Sequence, residues 1–164
     1  MSEYTVKSVK TFRGREGMGF NATLCRDGKK VALVDDAANG GSYSYHWLDY
    51  KEGRKVEVDI VNWQGKAVKM HCTPEQAKFV EHVRAHTKET FEPEDRFVVD
   101  LVDDFEEAKT LKRWCRTKTV IILKGDAKGN YHTFNDKYSA AMKAYIEKKY
   151  GDQVAEIVNE RFVA

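Results

Sequence analysis

The sequence contains few cysteines and few prolines. Its three cysteines, Cys25, Cys72 and Cys115, lie far apart and form no CxxC pair. A disulfide framework is therefore not expected, and a reducing cytosol fits this cysteine content better. The chain has only two prolines and no low-complexity tract, so long disordered linkers are not expected. The opening residues, MSEYTVKSVK, have no apolar core, and no apolar run is long enough to span a bilayer, so neither a signal peptide nor a membrane helix is predicted.

The chain also has little net charge. Its 28 basic and 26 acidic residues give a formal net charge of +2, which is too balanced to indicate nucleic-acid binding by itself. With 41% apolar and 12% aromatic residues, the chain can build a core. A length of 164 residues favours a single domain over 1–164. The sequence patterns described below predict that this domain is β-rich over 1–72 and α-rich over 73–164.

The strongest local signal is the dipeptide Asp27-Gly28, which lies between two apolar-rich runs. This dipeptide favours a type I′ turn, in which both central residues have a positive φ. The turn predicts four cross-strand pairs: Arg26 with Lys29, Cys25 with Lys30, Leu24 with Val31, and Ala22 with Leu33. One face of the hairpin would then carry five apolar side chains: Phe20, Ala22, Leu24, Val31 and Leu33.

Further strands are predicted over 4–12, 42–50, 55–61 and 67–72, which makes the first half an antiparallel β-meander. The glycine-rich segment RGREGMG, residues 13–19, lacks the spacing of phosphate-binding loops, and a strand rather than a helix follows it. We therefore interpret it as a plain hairpin loop.

Helix signals dominate the next part of the chain. Thr73 is the predicted N-cap of a first helix, with Pro74 at its first position and Gln76 completing a capping box, and this helix should end near Lys88. Residues 93–116 are also predicted to be helical. Their apolar face changes phase, which indicates a kink or a break near residues 103–104. A strand over 96–102 is the competing prediction because this segment contains β-branched residues.

The last part of the sequence predicts a second hairpin from 117–123 and 131–134. Ser139 should cap a helix that ends at Lys149. Its predicted apolar face consists of Tyr138, Ala141, Met142 and Tyr145. Asp152 should cap a short final helix that contains Val154, Ile157 and Val158. The predicted fold class is therefore α+β: an N-terminal antiparallel β-meander packed by helices, a second short hairpin and two C-terminal helices.

The first candidate site is an aromatic strand with acidic neighbours. Its six members are Asp35, Asp36, Tyr43, Tyr45, His46 and Trp47. Tyr43, Tyr45 and Trp47 alternate with other residues and should share one face of the strand. Aromatic rings stack on bases or anchor a protein partner, and carboxylates accept hydrogen bonds. The alternative is structural, since Tyr and Trp are good strand formers and the two aspartates are typical of a turn.

The second candidate site is a basic stripe at the end of the long predicted helix. It consists of Lys109, Lys112, Arg113 and Arg116, whose spacing places all four on one helical face. Such a stripe could contact phosphates or an acidic protein surface. In the alternative interpretation, Glu106 and Glu107 pair with these cations and the stripe is an ordinary solvated face.

Catalytic and metal-binding motifs are scarce. His82 and His86 have a spacing that can bind a metal, but EHVRAH is not the HExxH arrangement. We therefore predict no metal site and no cofactor. The sequence has no GxSxG, kinase or P-loop motif, so no catalytic residue is assigned and an enzyme is not favoured.

Three segments carry a resemblance: TFRGREGMGFNATLCRDGKKVALVDDAANGGSYSYHW, LKRWCRTKTVIILKGD and KYGDQVAEIVNERF. They resemble uncharacterised small accessory proteins of tailed bacteriophages. The resemblance spans most of the chain, but it rests on a hairpin, a basic stretch and a capped terminal helix, and it transfers no catalytic residue. It implies an accessory factor that acts on host machinery, including host defence, in the host cytoplasm.

The sequence therefore leads to three functional hypotheses. The leading hypothesis is a phage accessory binding protein of the host cytoplasm that inhibits a host protein, such as a defence protein, or sequesters a small ligand. The second is a nucleic-acid-binding protein that uses the basic stripe. The third is a nucleotide- or nucleic-acid-processing enzyme with its site near His46. The sequence predicts neither the identity of the partner nor the oligomeric state.

Overall fold

The computed structural model describes residues 3–163 and combines α-helices with antiparallel sheets, which confirms the α+β fold class. The chain divides into two compact units between Phe105 and Glu106. The expectation of one domain over 1–164 stays a prediction. Within residues 3–163, no helix combines the length and the apolar character that crossing a membrane requires.

The first unit contains the predicted four-stranded antiparallel meander. Its strands follow chain order: β1 (Tyr4–Gly14), β2 (Gly17–Arg26), β3 (Lys29–Asp36) and β4 (Ser44–Trp47). Asp27 and Gly28 connect β2 to β3 with φ values of 50° and 76°. Positive φ at both central residues is the signature of a type I′ turn, so the predicted hairpin is confirmed.

The predicted register of this hairpin is only half right. Cys25 faces Lys30 as predicted, but a bulge between Leu24 and Cys25 shifts the remaining pairs by one residue. Leu24 therefore faces Ala32 instead of Val31, and Ala22 faces Val34 instead of Leu33. Leu33 is 41% exposed and does not belong to the apolar face. The physical reason is that Val31 is the extra residue of the bulge, so Val31 and Ala32 can both be buried.

One predicted loop and one predicted strand end also need correction. β1 continues to Gly14 and β2 begins at Gly17, so Arg15 and Glu16 alone form the turn where a loop over 13–19 was expected. β4 ends at Trp47, and a 3₁₀ turn (Leu48–Glu52) takes the place of the last part of the predicted strand. The strands β5 (Val56–Val61) and β6 (Ala67–Cys72) are confirmed, but they pair as a separate two-stranded sheet.

Two helices follow these strands, α1 (Pro74–His86) and α2 (Pro93–Trp114). The Thr73 hydroxyl accepts a hydrogen bond from the Gln76 N–H at 3.2 Å, so the predicted N-cap is confirmed. α2 is helical throughout 93–114, so the predicted break at 103–104 and the competing strand over 96–102 are both wrong. Val98 and Val102 are buried at helical spacing, and their packing outweighs the strand preference of β-branched residues.

The second unit contains the end of α2, a three-stranded sheet and a further α-helix. The predicted hairpin is confirmed as β7 (Thr119–Leu123) and β8 (His132–Phe134), and α3 (Ala140–Tyr150) begins at the predicted Ser139 cap. The predicted final helix is wrong, because residues 154–157 form a strand, β9 (Val154–Ile157), followed by a 3₁₀ turn over 158–162. β9 pairs with β7, which lies in the centre of the sheet, and so satisfies the second edge of that buried strand.

The buried face of α3 also differs from the prediction. Ile146 is fully buried, and Met142 and Tyr150 pack in the same cluster at i−4 and i+4. Tyr145, expected on the buried face, is an exposed side chain. Because the helical repeat is 3.6 residues, the true face lies about one position away from the predicted one.

Candidate functional site

Two adjoining cavities of the first unit share the lining residues Tyr43, Glu92 and Asp95. Their volumes are about 240 and 360 Å³. We call the smaller one, together with its shared rim, the aromatic cleft. It is defined by four rings, one hydroxyl and four charged groups: Tyr43, Tyr45, Trp47, Phe79, Ser42, Arg84, Glu92, Glu94 and Asp95. Residues from the β4 region, α1 and the start of α2 are therefore brought together here.

The rings of the aromatic cleft come from the alternation of β4 and from α1. Tyr45 and Trp47 lie two residues apart, so their side chains point to the same face of the strand. Their rings are nearly parallel, with an interplanar angle of 8° and a centroid distance of 6.0 Å. Trp47 is only 9% exposed, and its Nε1 has no hydrogen-bond acceptor within residues 3–163. The strand is therefore a lining of the cleft rather than a fully exposed aromatic platform.

Asp95 anchors β4 to the first turn of α2. Its carboxylate accepts the backbone N–H of Tyr43 at 2.8 Å and the hydroxyl of Tyr45 at 2.7 Å. Burial raises the pKa of the Asp95 carboxyl above its ordinary value, although these two hydrogen bonds act in the opposite direction. Burial and the nearby Asp95 carboxylate also raise the pKa of Tyr45 above its ordinary value. A half-buried carboxylate is thus held in a fixed position at the cleft.

The remaining charges of the aromatic cleft are unevenly compensated. Arg84 forms an ion pair with Glu94 at 2.8 Å and donates a further hydrogen bond to the Val61 carbonyl. Glu92 accepts a hydrogen bond from the Ser42 hydroxyl. Within residues 3–163, neither Glu92 nor Asp95 forms an ion pair with a cation. The cleft therefore carries an excess of negative charge in a largely aromatic setting.

The other three residues of the first candidate site lie elsewhere. Asp35, which is half-buried, and the exposed His46 form a pair at 3.3 Å, and neither is among the described residues that line the cleft. His46 lies between Tyr45 and Trp47 in β4, so its side chain points to the opposite face of the sheet. The Asp36 carboxylate accepts the Ala38 N–H at 2.8 Å, as expected for turn chemistry. The predicted site is therefore divided between two faces.

Sequence reasoning missed most of the charged lining of the cleft. Glu94 and Asp95 lie in the first turn of α2, where carboxylates are common because they interact favourably with the helix dipole. That pattern marks a helix start and carries no information about a cleft. The contact between Asp95 and Tyr45 joins residues 50 positions apart, so local periodicity could not reveal it.

The basic stripe is exposed in the second unit. Lys109 pairs with Glu106 at 3.0 Å, in agreement with the solvated-face interpretation, whereas Glu107 accepts the Tyr131 hydroxyl instead. Lys112 and Arg116 line a cavity of about 310 Å³ together with Lys137. None of the described residues that line this cavity is acidic. Part of the stripe is thus neutralised locally and part of it is not.

Of the two histidines of α1, His82 packs against the core of the first unit, whereas His86 is exposed. The ring centroids of His82 and His86 are 4.6 Å apart, and the His82 ring contacts Tyr4 at 4.8 Å. Burial, followed by the proximity of His86, lowers the pKa of His82. Within residues 3–163, no group of three or more His, Cys, Asp or Glu side chains is placed to hold a metal ion.

Comparison with known proteins adds no relative. No protein-family model, no curated protein and no solved structure matches the chain. The resemblance to accessory proteins of tailed bacteriophages therefore stays a prediction.

Proposed function

We propose that the protein is a phage accessory binding protein that acts in the host cytoplasm, where its aromatic cleft holds a host protein and blocks the activity of that protein. The observation that carries this proposal is the convergence of Tyr43, Tyr45 and Trp47 with Phe79 and the carboxylates of α2 in one concave site. Aromatic anchors in partly desolvated pockets supply much of the binding energy of protein interfaces. The resemblance of three sequence segments to phage proteins supports the host context.

The cleft is also organised before a partner arrives. Asp95 holds both the backbone and the side chain of the strand that carries the rings, through its bonds to Tyr43 and Tyr45. Arg84 and Glu94 hold the opposite wall through their ion pair. Preorganisation reduces the entropy that binding must offset, so these internal contacts favour affinity for a partner.

Replacing both Tyr45 and Trp47 with alanine is expected to abolish partner binding. The change removes two of the four rings of the cleft, and each buried anchor of this type costs about 2 kcal/mol or more when truncated. Tagged protein is used to recover partners from host lysate. Each recovered protein is identified by mass spectrometry, and its binding is then measured with purified components.

The matched control is Tyr50→Ala combined with Trp63→Ala, since both of these rings are exposed and neither lines the cleft. Circular dichroism establishes that each variant is folded. Equal affinity of the purified partner for the two double variants contradicts the proposal. Recovery of a tightly bound small molecule instead of a protein supports the sequestration alternative.

A second candidate function rests on the basic stripe. Lys112 and Arg116, with Lys137, line a cavity without an acidic described residue, an arrangement that favours phosphate groups. We therefore keep nucleic-acid binding through this surface as the alternative proposal. It concerns residues of the second unit, so it can be tested separately from the aromatic cleft.

Nucleic-acid binding through the stripe is expected to weaken steeply with salt. Each neutralised phosphate contributes about −0.7 to −0.9 to the slope of log K against log salt concentration. Arg113→Glu and Arg116→Glu should each make that slope shallower, whereas Lys10→Glu, an exposed lysine of the first unit, should leave it unchanged. Fluorescence anisotropy with a labelled single-stranded oligonucleotide measures the slope. Absence of binding even at low salt removes this candidate.

A further inference from the structure

We propose that the aromatic cleft takes the positively charged side chain of an arginine or lysine on the partner protein. This inference rests on the proposed function for the nature of the partner, and it adds the chemistry that the partner must present. Its basis is that one cavity is lined both by several aromatic rings and by two carboxylates, Glu92 and Asp95, that form no ion pair within residues 3–163.

The carboxylate of Asp95 has capacity for a ligand. One of its oxygens accepts the Tyr43 N–H and the other accepts the Tyr45 hydroxyl. A carboxylate has about four acceptor positions, so roughly two remain for a donor in the cleft. Glu92 accepts one hydrogen bond from Ser42 and also lines the cavity. A guanidinium or ammonium group supplies several hydrogen-bond donors and the positive charge that would pair with these carboxylates.

The rings favour the same occupant. The face of an aromatic ring carries partial negative charge and attracts a cation within about 6 Å of its centroid. The second unit shows this contact within the same chain, where Lys149 Nζ lies 5.1 Å from the centroid of Tyr150 and 5.5 Å from that of Tyr145. The aromatic cleft offers Tyr43, Tyr45 and Trp47 for an equivalent contact, with carboxylates beside them.

Charge and size disfavour neutral, anionic and drug-sized occupants. A neutral apolar ligand would remove water from Glu92 and Asp95 without supplying a partner, which is costly, and an anion would be repelled. The cavity volume of about 240 Å³ lies below the 300–1,000 Å³ that is typical of pockets for drug-sized ligands. The cleft is therefore suited to one side chain, and the adjoining cavity of about 360 Å³ can take the flanking residues of the partner.

The test uses the full chain labelled with ¹⁵N and three defined probes: a capped arginine (N-acetyl-arginine methylamide), its neutral isostere (N-acetyl-citrulline methylamide), and a glycine–serine peptide with one central arginine. The Trp47 indole signal, assigned with Trp47→Phe, reports on the cleft. The indole signals of Trp63 and Trp114 are internal controls because neither residue lines it. We expect a saturable shift of the Trp47 signal with capped arginine, binding of citrulline at least about tenfold weaker, and tighter binding of the peptide.

Matched variants assign the effect to the carboxylates. Asp95→Asn is expected to weaken binding of capped arginine about tenfold, because it removes a charge-assisted hydrogen bond. Glu92→Gln provides a second variant that does not depend on the anchoring contacts of Asp95. Asp100→Asn, which neutralises an exposed carboxylate of α2 that does not line the cleft, should have no effect.

Equal binding of arginine and citrulline overturns the inference, as does an equal loss in the Asp95→Asn and Asp100→Asn variants. Binding of the peptide no tighter than capped arginine overturns the assignment to a protein side chain and indicates a free organic cation. Absence of any shift with the cationic probes also overturns it. In that case, a partner that binds the wild-type protein but not the Tyr45→Ala, Trp47→Ala variant still supports the proposed function. Failure of the inference is therefore distinguishable from failure of the proposed function.

Discussion

Replacing Asn159 with aspartate is expected to destabilise the second unit by about 3 kcal/mol or more. Asn159 is 3% exposed, and its amide makes three hydrogen bonds. Its Oδ1 accepts the Val120 N–H at 2.8 Å, and its Nδ2 donates to the carbonyls of Cys115 and Lys118 at 3.3 and 2.9 Å. Aspartate has the same shape, but it places a carboxylate oxygen against two carbonyls and buries a charge without a partner.

Urea unfolding at neutral pH, followed by circular dichroism, measures this loss. Asn130→Asp is the matched control, because Asn130 is exposed and the same change should alter the free energy of unfolding by less than about 0.5 kcal/mol. Acidification should reduce the difference in the free energy of unfolding between Asn159→Asp and the wild type, because the protonated carboxyl can donate a hydrogen bond to one of the two carbonyls. A loss that is small, or independent of pH, would show that this amide does not hold the second unit together.

The second large effect is expected for Phe79→Ala, which should lower the free energy of unfolding of the first unit by about 3–5 kcal/mol. Phe79 is 1% exposed and lies between the sheet and α2. Its ring centroid is 5.2 Å from that of Tyr4, 5.7 Å from that of Trp47 and 5.9 Å from that of Phe97. Truncation leaves a cavity among these rings, and the loss of their contacts adds to the loss of apolar burial.

Thermal and urea unfolding compare this variant with Trp63→Ala, a truncation of a ring that is 69% exposed and should cost less than about 0.5 kcal/mol. Phe79→Leu fills most of the space and should cost less than half as much as Phe79→Ala. Similar losses for Phe79→Ala and Trp63→Ala would mean that the core of the first unit is centred elsewhere. Because Phe79 also lines the aromatic cleft, it is unsuitable for separating binding from stability.

Local chemistry was sufficient to predict most of the elements. The turn at Asp27 and Gly28 and the caps at Thr73 and Ser139 depend on residues within one turn of each other, and all are confirmed. The bulge after Leu24 could not be predicted in the same way. It is favourable because it buries both Val31 and Ala32, and that depends on what packs against the sheet.

The end of the second unit illustrates the same limit. Residues 154–157 contain apolar residues at a spacing that also fits a short helix, and a helix was predicted. The free edge of β7 determines the outcome, and β7 lies some thirty positions earlier in the chain. A short segment with a weak intrinsic preference adopts the conformation that satisfies its neighbour, so tertiary contacts outweigh local propensity here.

The sequence predicted the rings of the candidate site but not its carboxylates. Strand alternation alone places Tyr45 and Trp47 on one face, and the structure has them there, lining the cleft. The carboxylates that give the cleft its charge come from α2, whose position against β4 no sequence pattern encodes. Whether these residues bind a partner stays a prediction.

The order of the strands in the second unit has a consequence for biosynthesis. β7 is central in its sheet, yet β9, which covers one of its edges, is the last of the three strands of this sheet to be translated. A nascent chain that has released β7 and β8 from the ribosome therefore presents an unpaired backbone edge beside the apolar side chains of Val120 and Ile121. The sheet can close only once residues 154–157 have emerged, so this unit completes its folding after all three of its strands have been translated.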